Sequence, residues 1–361
     1  MKKTKFYELH KKAGAKIVEF AGFEMPIQYS SIIAEHKAVR DSVGVFDVSH
    51  MGEIFIEGDN ALDFVQHITV NDASQLTPGR VQYSAMCYPN GGIVDDLLVY
   101  NLAENKYMLV VNAANIEKDY NWMVENNKFS VDIKNLSDDY SLLAVQGPNS
   151  ELVLQKLMDN KINLDYYNFK IDKVAGVEMI VSRTGYTGES GYELYFTGDE
   201  ETAAHVWNEL FKAGKKYDIQ PAGLAARDSL RLEMGFCLYG NDIDETTNTI
   251  EAGLGWITKL KKEDFIGRDS LKQVKENGIT RKLVAMISDA KFFPRKGYDI
   301  VNGGKKIGTI TSGTVSPVLE KPIALGYIES SYKKTGTEIK FSIRGKEFAA
   351  KVVKLPFIKS Q

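Results

Sequence analysis

The sequence predicts an α+β fold that ends in a small antiparallel barrel or sandwich. Three observations carry this. Strand-like runs interleave with amphipathic helices without a regular β-α-β beat, nearly everything beyond Arg281 reads as strand, and 43% of the 361 residues are hydrophobic, enough for real cores. Ser31 to Val43 carries Ile32, Ile33, His36, Val39 and Val43 at helical spacing, with Gly44 as the stop. Glu53 to Glu57, Tyr107 to Val111 and Leu142 to Val145 read as strands, and Ile116 to Val124 and Thr202 to Ala213 as helices. Ala222 to Met234 is a helix with clear ends, Pro221 suiting its first turn and Gly235 its C-terminal stop. Asp269 is the expected N-cap of a further helix running to Lys275 and closed by Asn277-Gly278. Six strands follow, over Leu283 to Ile287, Tyr298 to Val301, Ile307 to Thr311, Ile323 to Ile328, Ile339 to Ile343 and Phe348 to Val353, with Asn302-Gly303 as a hairpin signal. The composition shift near residue 260 divides the chain into an expected region 1–275, with two intertwined lobes, and an expected domain 280–361.

Charge excludes several partner classes. Lys and Arg number 45 against 48 Asp and Glu, a formal net charge of −3, so the strongly basic face of a nucleic-acid binder is not expected. Cys87 and Cys237 lie far apart and form no redox or metal motif. The basic N-terminus lacks the apolar core of a secretory signal, and no apolar run approaches the roughly 18 residues of a membrane span. A soluble, cytoplasmic protein that meets neither nucleic acid nor membrane is expected.

Missing motifs narrow the chemistry further. No two of the five histidines share helix-turn spacing, so no H-E-x-x-H zinc site exists. There is no G-x-S-x-G elbow. Asn241 stands where a phosphate loop needs lysine, and Gly253-Leu-Gly255 lacks its third glycine at Thr258.

Four glycine-punctuated stretches remain. In Asn90-Gly-Gly-Ile-Val-Asp-Asp-Leu-Leu-Val-Tyr100, strand alternation sends Asp95 and Asp96 to opposite faces, one inward and one toward solvent or a cap. An inward acid is costly unless paired or used; the alternative is a turn aspartate beside a surface one. In Ser182-Arg-Thr-Gly-Tyr-Thr-Gly-Glu-Ser-Gly-Tyr-Glu-Leu-Tyr195, Glu193 lies opposite its apolar neighbours and could accept paired hydrogen bonds from a heterocycle with an amino group beside a ring N–H. A hairpin with a solvated glutamate fits that stretch equally well. Arg227 and Arg231 sit one turn apart on the third, with Asp228 able to pair with Arg231, as an ion-paired helix surface would. The fourth, Leu238-Tyr-Gly-Asn-Asp-Ile-Asp-Glu-Thr246, is acid-rich but lacks calcium-loop spacing.

Together these stretches resemble the T protein of the glycine cleavage system, a tetrahydrofolate-dependent aminomethyltransferase family. The resemblance runs from about Thr4 to Phe357. It is carried by Phe46-Asp-Val-Ser-His-Met51, Asn90-Gly-Gly-Ile-Val-Asp-Asp96, Ala144-Val-Gln-Gly-Pro148, Arg183-Thr-Gly-Tyr-Thr-Gly188, Ala225-Ala-Arg-Asp-Ser-Leu-Arg-Leu-Glu233 and Ile310-Thr-Ser-Gly-Thr-Val-Ser-Pro317 in family order. It implies a multi-lobed N-terminal region around a central folate pocket, followed by a C-terminal antiparallel β-barrel. The implied reaction splits an aminomethyl group on the lipoyl arm of the H protein, releasing ammonia and passing the methylene to tetrahydrofolate as co-substrate. The products are 5,10-methylenetetrahydrofolate and dihydrolipoyl H protein.

The family's catalytic carboxylate falls on Asp96, which becomes the expected inward member of its pair. Glu193 and Arg227 match folate-binding positions, Tyr186 lies in a pocket-lining motif, and Tyr83, Tyr100 and Met51 are expected beside the ring systems. No metal or flavin is implied. Many family members carry a tyrosine near the C-terminus that reaches the folate, whereas this chain reads Leu355-Pro-Phe-Ile-Lys-Ser-Gln361. Folate-binding proteins that assist iron–sulfur cluster assembly share the fold, but their Lys-Gly-Cys-Tyr-x-Gly-Gln-Glu segment is replaced here by Gly235-Phe-Cys-Leu-Tyr-Gly-Asn241. A non-catalytic folate- or carrier-binding protein is the other alternative. Because the H protein is typically acidic, a local basic patch is expected, with Lys291, Arg295, Lys296 and Lys259 to Lys262 as candidates.

Overall fold

The computed structural model describes residues 1–359; the last two residues of the expected domain 280–361 lie outside the described residues. Helix α1 (Tyr7–Lys12) leads into the hairpin β1 (Lys16–Phe20) and β2 (Phe23–Gln28). Helix α2 (Ile32–Asp41) starts on Ser31, whose hydroxyl accepts from the Ala34 N–H at 3.2 Å and satisfies a first-turn donor. Then come β3 (Gly44–Asp47), β4 (Gly52–Glu57), α3 (Ala61–Ile68), β5 (Val81–Cys87), β6 (Ile93–Ala103), β7 (Lys106–Val111), α4 (Ile116–Glu125), β8 (Asp132–Asn135) and β9 (Tyr140–Gln146). After α5 (Ser150–Leu154) the chain forms β10 (Phe169–Val174), β11 (Val177–Ser182), β12 (Gly191–Thr197), α6 (Glu200–Gly214), β13 (Gln220–Pro221), α7 (Leu224–Met234) and α8 (Arg268–Asn277).

Besides the β1–β2 hairpin these strands build two larger sheets, a five-stranded one in the order β5-β6-β7-β4-β8 and a six-stranded one in the order β10-β11-β12-β9-β3-β13. The sheets face each other across an apolar cluster that includes Phe55, Tyr100 and Val110 from the first and Phe46, Ala144 and Tyr195 from the second. On the far side of the first sheet, Ile54, Ile56, Leu97 and Val99 pack with Phe64 of α3 and Met123 of α4. On the far side of the second, Tyr192, Leu194 and Phe196 pack with Val206, Trp207 and Leu210 of α6. Both sheets are therefore covered on both faces. Strand alternation then fixes the direction of three acids: Glu53 on β4, Asp96 on β6 and Glu193 on β12 all share the inter-sheet face with Phe55, Tyr100 and Tyr195.

The remaining strands, β14 (Arg281–Ile287), β15 (Asp299–Asn302), β16 (Lys305–Val315), β17 (Pro322–Glu329), β18 (Glu338–Ile343) and β19 (Lys346–Val353), close into a six-stranded barrel in the order β14-β17-β16-β15-β18-β19. Its interior is filled by a cluster that includes Met286, Ile300, Ile310, Ile328 and Phe341.

Four local expectations need correction. Pro221 pairs with Val45 as part of β13 instead of opening α7, whose N-cap is Gly223. A Cβ at Gly223 would lie 2.4 Å from the Ile27 carbonyl group, so only glycine lets α7 start against β2. Asp269 sits inside the first turn of α8, which begins after Gly267. Gly44 opens β3 and is needed for close packing, since a Cβ there would meet Val39 Cγ2 at 2.4 Å. The β15–β16 turn residues are Gly303-Gly304, flanked by the Asn302–Lys305 pair.

Helix α7 joins the sheets to the barrel. Arg231, 1% exposed, donates from Nε to Asp228 (2.8 Å) and from its two terminal nitrogens to Phe236 O (2.9 Å), Asp242 (2.7 Å) and Ser312 Oγ (2.8 Å). A bulge in β16 between Ile310 and Ser312 lets Thr311 and Ser312 both donate to Asp242. Two residues on, Glu233 accepts from Arg40 at 2.8 Å and from Ser316 of β16's C-terminal continuation at 2.5 Å. The surface ion pair expected of Arg231 is instead a buried clamp.

Candidate functional site

The two acids of the Asp95–Asp96 pair meet different environments. Asp95, 0% exposed, points to the helix-covered side of the sheet. It accepts from the Asn112 N–H (2.9 Å), Asn112 Nδ2 (2.9 Å) and Asn115 Nδ2 (2.6 Å). Behind it Asp119 of α4 is buried too, with no hydrogen-bond partner on either oxygen among the described residues, and burial and then the Asp95 charge push its carboxyl far up. Asp96 is half-buried on the inter-sheet side, where it accepts from Tyr83 OH and Asn112 Nδ2, each at 2.9 Å. The expectation that Asp96 is the more inward of the two is therefore corrected: Asp95 is the deeper acid, and its oxygens are consumed by donors. Burial first, and then the Asp95 charge, push the Asp96 carboxyl up to about 7.

Glu193 lies on the facing sheet. Its Oε2 accepts from Thr184 Oγ1 and, at 3.3 Å, from Tyr195 OH, while Oε1 has no partner among the described residues. Burial raises its pKa, opposed by those hydroxyls and by the Arg227 charge. Arg227 projects from α7 with its guanidinium 4.5 Å over the ring of Tyr186. Among the described residues it makes no ion pair, and burial lowers its pKa. Tyr186 in turn stacks on Phe236 (5.7 Å, 27°) and donates to the Cys237 carbonyl. Its ring thus carries Arg227 and is held by the 236–237 backbone. Tyr83 and Met51 are half-buried at the same space, Tyr83 at 6.1 Å from the Trp256 ring.

Tyr100 departs from expectation. Its ring has no exposed surface, and its hydroxyl meets Ser182, Thr184 and Tyr195 at 3.0–3.3 Å. It therefore supports Glu193 through the Thr184 and Tyr195 hydroxyls and offers no face to a ligand. Four further residues went unread in the sequence: Asn112, which bridges Asp95 and Asp96; Thr184, which orients Glu193; and His50 and Glu53 on either side of Met51. His50 is buried edge-on against Phe20 (5.4 Å), its Nδ1 has no partner, and burial and then Arg227 lower its pKa to about 3, so the ring is neutral.

At Tyr186 and Arg227 the site meets an open groove of about 950 Å³ between α2, α7 and the barrel. Its wall carries Ile33 and Phe293, 57% and 50% exposed, and the cations Lys37 and Arg295. Lys296 reaches the adjoining Gly240 carbonyl and Asn241, whereas Lys262 is caged by the carbonyls of Gln66, Thr69 and Asn71 and is no free surface cation. Lys259, Lys261 and Lys262 line a separate depression with Asn71 and Asp72.

Three kinds of comparison bear on this arrangement. The family model for the GCVT N-terminal domain matches residues 6–262, and that for the glycine cleavage T-protein C-terminal barrel domain matches residues 281–359. The chain belongs to the glycine cleavage T-protein family. An aminomethyltransferase of Flavobacterium psychrophilum is 53% identical across 99% of this chain and 100% of its own length, and one of Halothermothrix orenii is 50% identical with the same coverage. The crystal structure of glycine cleavage system aminomethyltransferase T from Bartonella henselae superposes with a TM-score of 0.93 at 35% identity, covering 100% of this chain and 99% of that one. As a member of the T-protein family the chain is an aminomethyltransferase of the glycine cleavage system, a tetrahydrofolate-dependent transferase. The iron–sulfur assembly alternative is not favoured. Among the described residues no group of three or more His, Cys, Asp or Glu is placed to hold a metal ion, and no helix is long and apolar enough to cross a membrane.

Proposed function

We propose that the inter-sheet space holds tetrahydrofolate, with Glu193 and Arg227 as its binding groups and Asp96 as the catalytic carboxyl. The observation that supports this most is that acids on two facing sheets, Asp96 and Glu193, keep acceptor capacity open in a space otherwise lined by apolar and aromatic side chains. Glu193 has a free Oε1 beside an Oε2 held by Thr184, an acceptor pair matched to the amino and ring N–H edge of a pterin. Arg227 supplies fixed charged donors at the mouth, oriented by Tyr186, for a ligand carboxylate or amide.

Asp96 is suited to proton movement. A carboxyl near 7 takes a proton from an attacking nitrogen and returns it to departing ammonia without a large energy gap either way. Tyr83 and Asn112 fix its direction from both sides, so alignment of the reacting nitrogens is the main contribution. The groove that opens at Arg227 is the proposed approach of the lipoyl arm, with Arg295 and Lys37 facing an acidic H protein. The test mixes the purified chain with aminomethylated H protein and tetrahydrofolate and follows ammonia. Stoichiometric, folate-dependent release is expected; intact folate binding with no release would leave only a carrier- or folate-binding role.

A further inference from the structure

Glu53 is a buried acid with no hydrogen-bond or ion-pair partner among the described residues. It is 1% exposed, its Oε1 is sealed from solvent without a hydrogen-bond partner, and among the described residues neither oxygen has a donor or a cation paired with it. Its backbone is fixed, since Ser137 Oγ lies 3.0 Å from its N–H and its carbonyl accepts from Leu136 N. On β4 it points into the inter-sheet space between Met51 and Phe55, toward Glu193, whose charge it feels without sharing a hydrogen bond. Burial, and then repulsion from Glu193, raise its pKa well above the carboxylate range. Asp95 and Asp242, acids of similar depth, have their oxygens taken by donors, and Asp119, which has none, sits beside Asp95 on the helix-covered side, whereas Glu53 faces the inter-sheet space.

We propose that Glu53 is a second recognition group of the inter-sheet site, a neutral carboxylic acid that pairs with the N1 and N8–H edge of a reduced pteridine ring. This deepens the folate reading and rests on it. A reduced pterin has two adjoining hydrogen-bonding edges. The 2-amino and N3–H groups form a donor–donor edge, which a carboxylate such as Glu193 matches. N8–H beside N1 is a donor next to an acceptor, which a carboxylate cannot satisfy and a carboxylic acid can: its O–H donates to N1 and its carbonyl oxygen accepts from N8–H. Two carboxyl groups on facing sheets, each feeling the other's charge, suit one flat ring presenting both edges. N8–H is absent from the fully oxidised ring, so Glu53 gives the site a means to favour the reduced co-substrate.

The test is calorimetric titration of the full chain, under anaerobic conditions, with tetrahydrofolate and with 8-deazatetrahydrofolate, which lacks only the N8–H. The wild type is expected to favour tetrahydrofolate by about ten-fold, the worth of a buried hydrogen bond. Glu53→Gln, which keeps one donor and one acceptor, retains that preference, whereas Glu53→Leu binds both ligands equally and keeps its thermal unfolding midpoint. A Leu variant that still discriminates, a Gln variant that loses discrimination as fully as Leu, or a wild type that never had it overturns the assignment. A wild type that binds neither ligand removes the folate reading itself, a different and recognisable result.

Discussion

The barrel junction and the inter-sheet space both bury charge, and they treat it in opposite ways. At the junction every nitrogen of Arg231 has an acceptor, and both oxygens of Asp242 accept from Thr311, Ser312 or Arg231. In the inter-sheet space Glu53 and one oxygen of Glu193 have no protein partner, and the Arg227 guanidinium, stacked on Tyr186, has no ion pair among the described residues. At the junction saturation holds two units of the fold together, and in the inter-sheet space the unfilled hydrogen-bonding capacity is available to a ligand. The two arginines of α7 make the contrast most sharply: one turn apart on one helix, Arg231 clamps the barrel and Arg227 faces the site.

This contrast predicts separable losses. Arg231→Met should cost about 3–5 kcal/mol in chemical denaturation, because it leaves Asp242 buried and uncompensated. Glu193→Ala should instead weaken tetrahydrofolate binding by about 10- to 100-fold in calorimetry while the unfolding midpoint holds or rises, since it removes a buried acid that the fold does not need. Equal stability losses in the two variants would erase the distinction. Asp95→Asn has the smallest effect and a defined sign. Removing the negative neighbour lowers the Asp96 pKa from about 7, so the acid limb of the pH profile of kcat/KM should move to lower pH. An unmoved limb would detach Asp96 from that ionisation.

Much of the fold was legible because local patterning and tertiary structure agree. The six barrel strands surround one small core, and each was identifiable from its own apolar or alternating run, β14 and β17 being apolar on both faces because their outer side packs against Leu232 of α7. Alternation likewise separated Asp95 from Asp96 and set Glu193 apart from Tyr192 and Leu194. It could not say which face carries the site, because both sheets are covered on both sides and neither parity means solvent. Glu53 was hidden for that reason: Glu53-Ile-Phe-Ile-Glu57 reads as a half-exposed strand, yet its polar face meets the second sheet. Arg231 was misread because its partners Asp242 and Ser312 are distant in sequence. Lys262 was misread because a cation capping the end of α3 looks, in sequence, like one of several in a charged stretch.

The central claim, that the acid enclosed on the helix-covered side is structural and the one facing the inter-sheet space is catalytic, is tested most directly by ammonia release from aminomethylated H protein and tetrahydrofolate in two matched variants. Asp96→Asn should lower turnover by roughly 10²–10⁴-fold with folate binding and unfolding midpoint preserved, and Asp95→Asn should be milder. The reverse order, with Asp95→Asn abolishing turnover and Asp96→Asn sparing it, would contradict the account.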